Sequence, residues 1–444
     1  MKENTAKNKD NDLMEKIVSL CKRRGFIFPG SEIYGGLAGT YDYGPLGSLL
    51  KKNIEDSWVN FFIKNRENVY LIDTPILMHP RVWEASGHVE NFVDPISKCG
   101  VCGHSFRTDQ IEDKDKCPDC GGKLTSPNNF NLMLETKVGA SEETAIKTYL
   151  RPEEAQSMFV NFKNVLQSLS PKIPFGIAQI GKAFRNEITP RDFTYRLREF
   201  EIMEFEYFIH PNSPWESYFD NFLLEQKEWL SRIGVDTTKL HSLEHGEDGR
   251  AHYSIKTVDL EFEYPFGTKE LTGLSHRGDF DLRRHQEYSG EKMEVLDEAT
   301  GDKFIPHVIE PTVSVDRAIL ALLCSSYREE GIGDDVRVYL KLPPSIAPYK
   351  ACVSPLLKNK PELITYAKNV FKDLKKEFGW ITYDDNGNIG KRYRRQDEIG
   401  TPFCIVIDFD TLTDDTVTVR DRDTGEQERV KVAELIGFIK GKIN

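Results

Sequence analysis

No run of apolar residues in this chain approaches the 18 or so that a membrane-spanning helix requires, so no span is expected. The opening MKENTAKNKDNDLMEK is polar and holds no apolar stretch of the secretory kind, so no signal peptide is expected either. Positive charge is in deficit, with a net charge of −12. The surface as a whole therefore does not attract nucleic acid, and any such contact has to come from a local basic patch. Internal repeats and low-complexity tracts are also missing, which argues against a solenoid or a disordered scaffold. Of the eight cysteines, four form two CxxC pairs, and Cys21, Cys324, Cys352 and Cys404 lie scattered. That pattern suits a reducing cytoplasm better than a disulfide framework.

What is present is a chain of 444 residues, 39% hydrophobic and 29% charged. This is an ordinary globular balance, long enough for two or three domains with substantial cores. Residues 1–12 read as a polar, frayed start. Leu13, Ile17, Val18 and Cys21 fall at helical spacing and predict a helix over about 13–24. After the Gly/Tyr-rich GGLAGTYDYGPLG, an amphipathic helix is expected over about 47–63, with Leu49, Leu50, Ile54, Trp58 and Phe61 on one side. Further helices are expected near 153–168 and 213–232, and strands at 175–180, 185–187, 200–209, 256–263 and 305–314, the last running into an apolar helix over 315–327. The GIGDD segment reads as the boundary of a smaller domain, giving 1–334 and 335–444. The second part follows strand (336–342), helix (360–377), strands (403–409 and 416–420) and helix (430–442), the alternation of an α/β domain.

Three clusters carry chemistry. Cys99-x2-Cys102 and Cys117-x2-Cys120 stand beside glycines in a charged segment, 95–125, that reads as an insertion. Four thiolates close a tetrahedral structural zinc site; the alternative is four unligated thiols. His104 is a spare candidate ligand. In the segment 181–208, Arg185 and Glu187 are two apart and would share a strand face, as would Phe200, Ile202, Glu204, Glu206 and Phe208. Buried carboxylates need partners or a ligand, so the segment is either an internal salt-bridge network or a site for a polyanion. In IEPTVSVDRAILALL, Glu310, Thr312 and Ser314 would share a face, and Arg317 would fall in the first helical turn. A cation there opposes the helix dipole unless it serves a phosphate; otherwise it is an ordinary exposed arginine. One apparent motif is rejected: Gly176-x4-Gly181-Lys182 is followed by Ala183, where a P-loop needs Ser or Thr, and it lies in a strand pattern.

The chain resembles the dimeric class II glycyl-tRNA synthetases. The resemblance rests on YDYGPLG (41–47), VWEASGHVENFVDP (82–95), YLRPE (149–153), FRNEITPR (184–191), REFEIMEFEYF (198–208), KEL-x-G (269–273), DFDLRRHQEYSG (279–290), IEP (309–311) and KRYRRQDEIGTPF (391–403), in that order. It implies an α+β fold: a six-stranded antiparallel sheet flanked by helices, the cysteine-bearing insertion, and an α/β anticodon-binding domain. The expected activity is ATP-dependent ligation of glycine to tRNA(Gly) by a cytoplasmic homodimer, with Mg2+ accompanying ATP and the helix after YDYGPLG at the dimer interface.

For ATP the resemblance implies Arg185, Asn186 and Glu187, the stretch Tyr195, Arg196, Leu197, Arg198, Glu199 and Phe200, then Glu270 and Leu271, and Ser314, Val315, Asp316 and Arg317. Arg185, Glu187 and Arg317 are the catalytic set. For glycine it implies Arg107, Glu153, Phe200, Glu204, Glu310, Thr312 and Ser314. The basic run Lys391, Arg392, Tyr393, Arg394 and Arg395 is expected to meet tRNA; its plain alternative is a solvated helix face. Four positions depart from the family pattern: Glu154 for Thr, Ser157 for Gly, Thr312 for Ser and Ser314 for Gly. Glu154 adds a charge near the amino-acid pocket, and Ser314 a side chain where backbone approaches the ligand. They keep open an alternative, a degenerate paralogue that binds tRNA or protein without efficient aminoacylation.

Overall fold

The computed structural model describes residues 2–108, 111–251, 253–297, 300–331 and 336–443. The expected boundary at 334–335 lies outside them. The seven strands that build the central sheet are β1 (Val69–Leu71), β2 (Phe175–Phe184), β3 (Glu199–Ile209), β4 (Leu240–Glu244), β5 (Lys256–Tyr264), β6 (Gly267–Gly278) and β7 (His307–Ser314). Their order across the sheet is β4-β5-β6-β7-β3-β2-β1. Six of them form the expected antiparallel sheet, and β1 adds a short parallel edge to β2. Antiparallel register places Thr312 of β7 between Glu204 of β3 and Gly273 of β6. Residues from three distant stretches thus meet on one face.

Helices cover the sheet: α1 (Lys2–Arg24), α2 (Pro45–Trp58), α3 (Ala155–Leu169), α4 (Trp215–Ile233), α5 (Phe280–Ser289) and α6 (Val315–Ser326). Helix α1 begins at Lys2 rather than near residue 13, so the expected frayed start is helical. Pro45 opens α2 with its φ preset and no amide to satisfy. Gly47 then lets the helix press on the chain behind it: a Cβ there would lie 1.9 Å from the Phe26 carbonyl oxygen. The buried stripe of α2 is Leu46, Leu50, Ile54 and Trp58, continued by Phe62 in a wider π turn, Val59–Lys64. Trp58 and Phe62 pack on Phe205, and Phe62 also on Trp229. That stripe is buried within the subunit, while Leu49 and Phe61 of the expected apolar face stay partly exposed.

The second unit is a five-stranded sheet. Its strands are β8 (Ala351–Pro355), β9 (Ile381–Tyr383), β10 (Phe403–Ile407), β11 (Thr416–Asp421) and β12 (Gln427–Lys431), ordered β9-β8-β10-β11-β12. Packed with it are α7 (Pro361–Phe378), α8 (Ile389–Glu398) and α9 (Leu435–Ile443). Two expectations change. Arg337–Leu340, read as the first strand of this unit, pairs with Tyr327–Glu330 instead. Residues 427–431 are strand where a helix from 430 was expected: Val430 is buried between exposed neighbours, the period-2 pattern of an edge strand. Among the described residues, no helix is long and apolar enough to cross a membrane.

Candidate active site and cysteine centre

The cysteine segment is held by a small sheet of Val93–Lys98, Ser105–Arg107 and Asn128–Asn131. Within it the Sγ atoms of Cys99 and Cys120 are 3.6 Å apart, as are those of Cys102 and Cys117. All four sulfurs fall within 4.8 Å of one another. A disulfide needs about 2.05 Å, whereas two sulfurs at ~2.3 Å from one tetrahedral ion sit roughly 3.8 Å apart. The set therefore fits a four-thiolate ion and not a disulfide pair. Backbone N–H groups of Cys102 and Val101 point at Cys99 Sγ and lower its thiol, while the crowding of the sulfurs raises Cys102 and Cys120, as expected of four thiols that share one small space without an ion's charge. His104 turns away to Asp119 at 2.6 Å.

The main site lies on the central sheet. A cavity of about 110 Å³ is lined by Arg185, Glu187, Tyr195, Arg196, Leu197 and Phe200 from the β2–β3 connection. Glu270, Leu271 and Gly273 of β6 line it too, as do Thr312, Ser314 and Arg317 around the end of β7. Arg185 does not share a strand with Glu187, because β2 ends at Phe184. Its guanidinium instead sits 5.2 Å from the ring centres of both Phe92 and Phe200, and its Nε donates to the Pro152 carbonyl at 3.1 Å. Two rings and a carbonyl leave the charge fixed at the cavity wall. Glu187 faces Arg196 at 3.7 Å. Arg317 lies over the Tyr195 ring at 4.5 Å and pairs with Glu270 at 3.0 Å. That neighbour holds the Glu270 carboxyl below its usual range.

Five of the expected ATP positions lie outside the cavity lining. Asp316 accepts the Tyr43 hydroxyl at 2.5 Å and the Glu201 N–H at 2.8 Å, so it ties the YDYG segment to α6. Val315 is core. Glu199 pairs with Lys182 in a neighbouring cleft. Arg198 spends its guanidinium on the carbonyls of Glu187 and Ala38 at 3.0 and 2.8 Å; it braces the loop. Asn186 contributes an N–H to the Leu132 carbonyl at 2.7 Å.

Below the cavity lies a carboxylate cluster. The Thr312 hydroxyl donates to Glu204 Oε1 at 2.7 Å. Glu310 accepts from Arg277 Nη1 at 2.7 Å, and Asp281 takes two more guanidinium N–H groups at 2.7 and 2.9 Å. Burial pushes the Glu204 carboxyl up to about 7 and that of Glu310 well above the normal range. Glu153 is partly buried, yet His88, Arg277 and Gln156 outweigh the desolvation and keep it low. Arg107 sits outside this group, paired with Asp94 at 2.9 Å. Glu206, expected on the Glu204 face of the strand, joins the cluster, and Arg277 and Asp281 complete it without having been singled out in the sequence. The available signal was the charged run RGDFD, which spans the end of β6 and the start of α5.

The four departures are accommodated. Ser314 caps α6, its hydroxyl oxygen accepting the Arg317 N–H at 3.4 Å. Glu154 is fully buried beside Arg151, with a carboxylate oxygen 2.9 Å from Nη2. Burial pushes its carboxyl to about 8 despite that arginine. The Ser157 hydroxyl bonds Gln179 Oε1 at 3.1 Å and the Glu154 carbonyl at 2.5 Å. Thr312 keeps the hydroxyl its position needs.

In the second unit the basic run divides by helical face. Arg392 is only 2% exposed and caps carbonyls of Pro355, Asp385 and Gly387, so it cannot reach a phosphate. Arg395 is paired with Asp384 at 2.8 Å, and Tyr393 lies 4.8 Å from Arg420. Lys391 and Arg394 are exposed.

Residues 137–326 match the class II core domain of the tRNA synthetases for G, H, P, S and T, and residues 350–442 match an anticodon binding domain. A glycine–tRNA ligase of Treponema denticola is 48% identical over 440 residues, 97% of each chain. One from Bacillus cereus is 47% identical over 458 residues, covering 97% of this chain and 99% of its own. This chain belongs to the glycine–tRNA ligase family. One further member, from Alkaliphilus metalliredigens, is 48% identical over 461 residues, with 97% and 98% covered. Membership fixes the fold as a class II core followed by an anticodon-binding unit, and makes the chain an ATP-dependent aminoacyl-tRNA ligase.

Proposed function

We propose that the cavity between Arg185 and Arg317 takes ATP and that the cluster of Glu204, Glu310 and Thr312 takes the glycine ammonium, so that the chain forms glycyl-adenylate and passes glycine to the 3′ end of tRNA(Gly). The observation that carries this reading is the juxtaposition itself: two fixed arginines stand above a buried carboxylate cluster on one sheet face. The glycine carboxylate is already ionised near neutrality, since α-carboxyl groups titrate around pH ~3.5, so no general base is needed. Its attack on the α-phosphorus releases pyrophosphate. Arg185 holds the α-phosphate where charge builds up, and Arg317 the leaving phosphates. Glu270, exposed at the cavity and already beside a cation, fits a magnesium ion arriving with ATP, which would neutralise phosphate charge.

Glycine offers nothing for positive selection beyond its two charged ends. Discrimination rests on refusing a Cβ, and the Thr312 methyl beside Glu204 crowds that space. A structural zinc in the four-cysteine centre, tRNA contact through Lys391 and Arg394, a cytoplasmic location and a homodimer belong to the same reading. Exposed Ile33, Tyr34 and Leu37, at 88%, 87% and 59%, support the homodimer, as large apolar side chains facing outward in one loop; light scattering on the purified chain checks it.

Glycine-dependent ATP–pyrophosphate exchange tests the whole. Wild type is expected to exchange. Arg185→Ala should lose about 3–4 kcal/mol of transition-state stabilisation while keeping its melting temperature. Near-normal exchange by that variant would refute the assignment of Arg185. An inert wild type would return the degenerate-paralogue alternative, which no feature of the structure favours.

A further inference from the structure

Beneath the carboxylates that face the cavity lies a third, Glu206, on the same face of β3 as Glu204. The register Glu204↔Thr312 and Tyr207↔Ile309 sets Glu206 across from Glu310. Carboxylate oxygens of Glu204, Glu206 and Glu310 all fall within 4.8 Å of one another. Glu206 is the deepest, at 0% exposure against 3% for Glu204 and 7% for Glu310. Both of its oxygens are buried with no hydrogen-bond partner, and so is Glu204 Oε2.

The charges around Glu206 can be counted. Glu204 lies on its own strand, Glu310 on β7, Arg277 on β6 and Asp281 on α5; Glu153 and Tyr253 act on Glu310 from beyond. Arg277 is the cation in this group, and its hydrogen bonds go to Asp281 and Glu310. Glu153 is served by His88 and Gln156. Burial raises Glu204 and Glu310 too, but Glu310 has Arg277 and Glu204 the Thr312 hydroxyl, so an arriving ammonium would ionise these two first and give two cations against Asp281, Glu310 and Glu204. A fourth negative charge, sealed from water and without a donor, carries a desolvation cost that nothing here offsets. Burial and the Glu310 charge both push the Glu206 carboxyl well above the usual range.

We propose that Glu206 is held as a neutral carboxylic acid that donates its one O–H to the orphaned Glu204 Oε2 and presents no charge to Glu310, positioning these two carboxylates to receive the glycine ammonium. It acts through its neighbours and does not touch the substrate. An aliphatic side chain would fill the space but leave buried carboxylate oxygens without a donor, and an ionised Glu206 would force its neighbours apart. The inference rests on the glycine site proposed above and deepens it.

Two variants and one spectrum test it. Glu206→Met removes the donor, and Glu206→Gln keeps a neutral one of the same shape. Glu206→Met should raise the KM for glycine roughly tenfold or more, the cost of unpaired carboxylate oxygens, with the KM for ATP unchanged. Glu206→Gln should recover most of that loss. The wild-type minus Glu206→Gln infrared difference spectrum at neutral pH should contain a protonated-carboxyl band, over the background that Glu154 gives in both proteins. The proposal is overturned if Glu206→Gln is as impaired as Glu206→Met, if Glu206→Met matches wild type, or if the band is unaffected by the Gln substitution. Stoichiometric divalent metal at these residues would also overturn it, since a metal demands three ionised carboxylates. If Glu206→Met fails to fold, Glu206→Gln and the infrared band still decide. A wild type that shows no glycine-dependent exchange yet carries the band would count against the glycine site alone.

Discussion

The hydroxyl oxygen of Ser314 accepts the backbone N–H of Arg317 at 3.4 Å, so the residue that ends β7 and the arginine that faces the cavity form one capping unit. Serine here looks from the sequence like an intrusion on the ligand. In the structure its φ is −76° and its side chain turns back onto the helix, where Ser is among the preferred caps. Ser314→Ala should therefore cost about 1 kcal/mol of unfolding free energy, and Ser314→Gly only a few tenths. Urea denaturation gives the stability, and exchange kinetics give the KM for ATP. If Ser314→Ala leaves stability untouched, the cap is not contributing.

The four-cysteine centre predicts about one zinc per chain in freshly purified, reduced protein. Chelation should lower the melting temperature, because ion binding is coupled to folding of the segment around residues 95–125. Cys117→Ser, at a buried ligand position, should do the same without chelator. Metal analysis settles the stoichiometry; a zinc-free protein with unchanged stability would leave four free thiols as the correct description.

Much of this site was readable from the sequence because its parts lie on single elements. The alternation of β3 put Glu204 and Glu206 on one face, and the turn from β7 into α6 put Arg317 in a first helical turn. Pairing across the sheet was not readable. Arg277 is local to none of the motifs, and only the β6–β7 register carries it to Glu310. Direction also escaped the sequence where one residue could serve two faces. Asp316 and Arg317 are adjacent, yet one turns to Tyr43 and the other to the cavity. The same holds on α8, where Arg392 points inward and Lys391 outward. A run of like charges gives composition, and the helical phase decides which members meet solvent.

Gly181 and Glu154 report how the departures were absorbed. A Cβ at 181 would lie 2.3 Å from Arg151 Nη2 and 2.4 Å from Glu154 Oε1. Arg151 cannot step aside, since it also bonds the Lys182 carbonyl at 2.7 Å and Thr74 at 3.1 Å. Gly181→Ala should thus destabilise by about 1–3 kcal/mol through overpacking. Combining it with Glu154→Thr, which shortens one of the two obstructing side chains, should cost less than the sum of the singles. Denaturation of the four proteins closes the cycle; strict additivity would show that Glu154 does not occupy the space in front of Gly181.

His276 makes the acid limit of stability testable. Its ring stacks on Trp215 at 4.5 Å, and neither ring nitrogen has a hydrogen-bond partner. Burial, with His307 nearby, lowers its pKa to about 4. The unfolded chain binds a proton to this histidine below about 6.5, whereas the folded chain does so only near 4, so stability is full above the unfolded value and falls as pH drops between the two. His285, also lowered to about 4 by burial, adds to the same slope. His276→Phe keeps a ring on Trp215 and removes the titration. It should reduce the loss of stability between pH ~7 and ~5 by about 2 kcal/mol, with little change above neutrality. Urea unfolding at the two pH values reads this directly. An unchanged slope would mean that His276 is charged in the folded protein or reached by water, and that its burial beside Trp215 does not govern its proton.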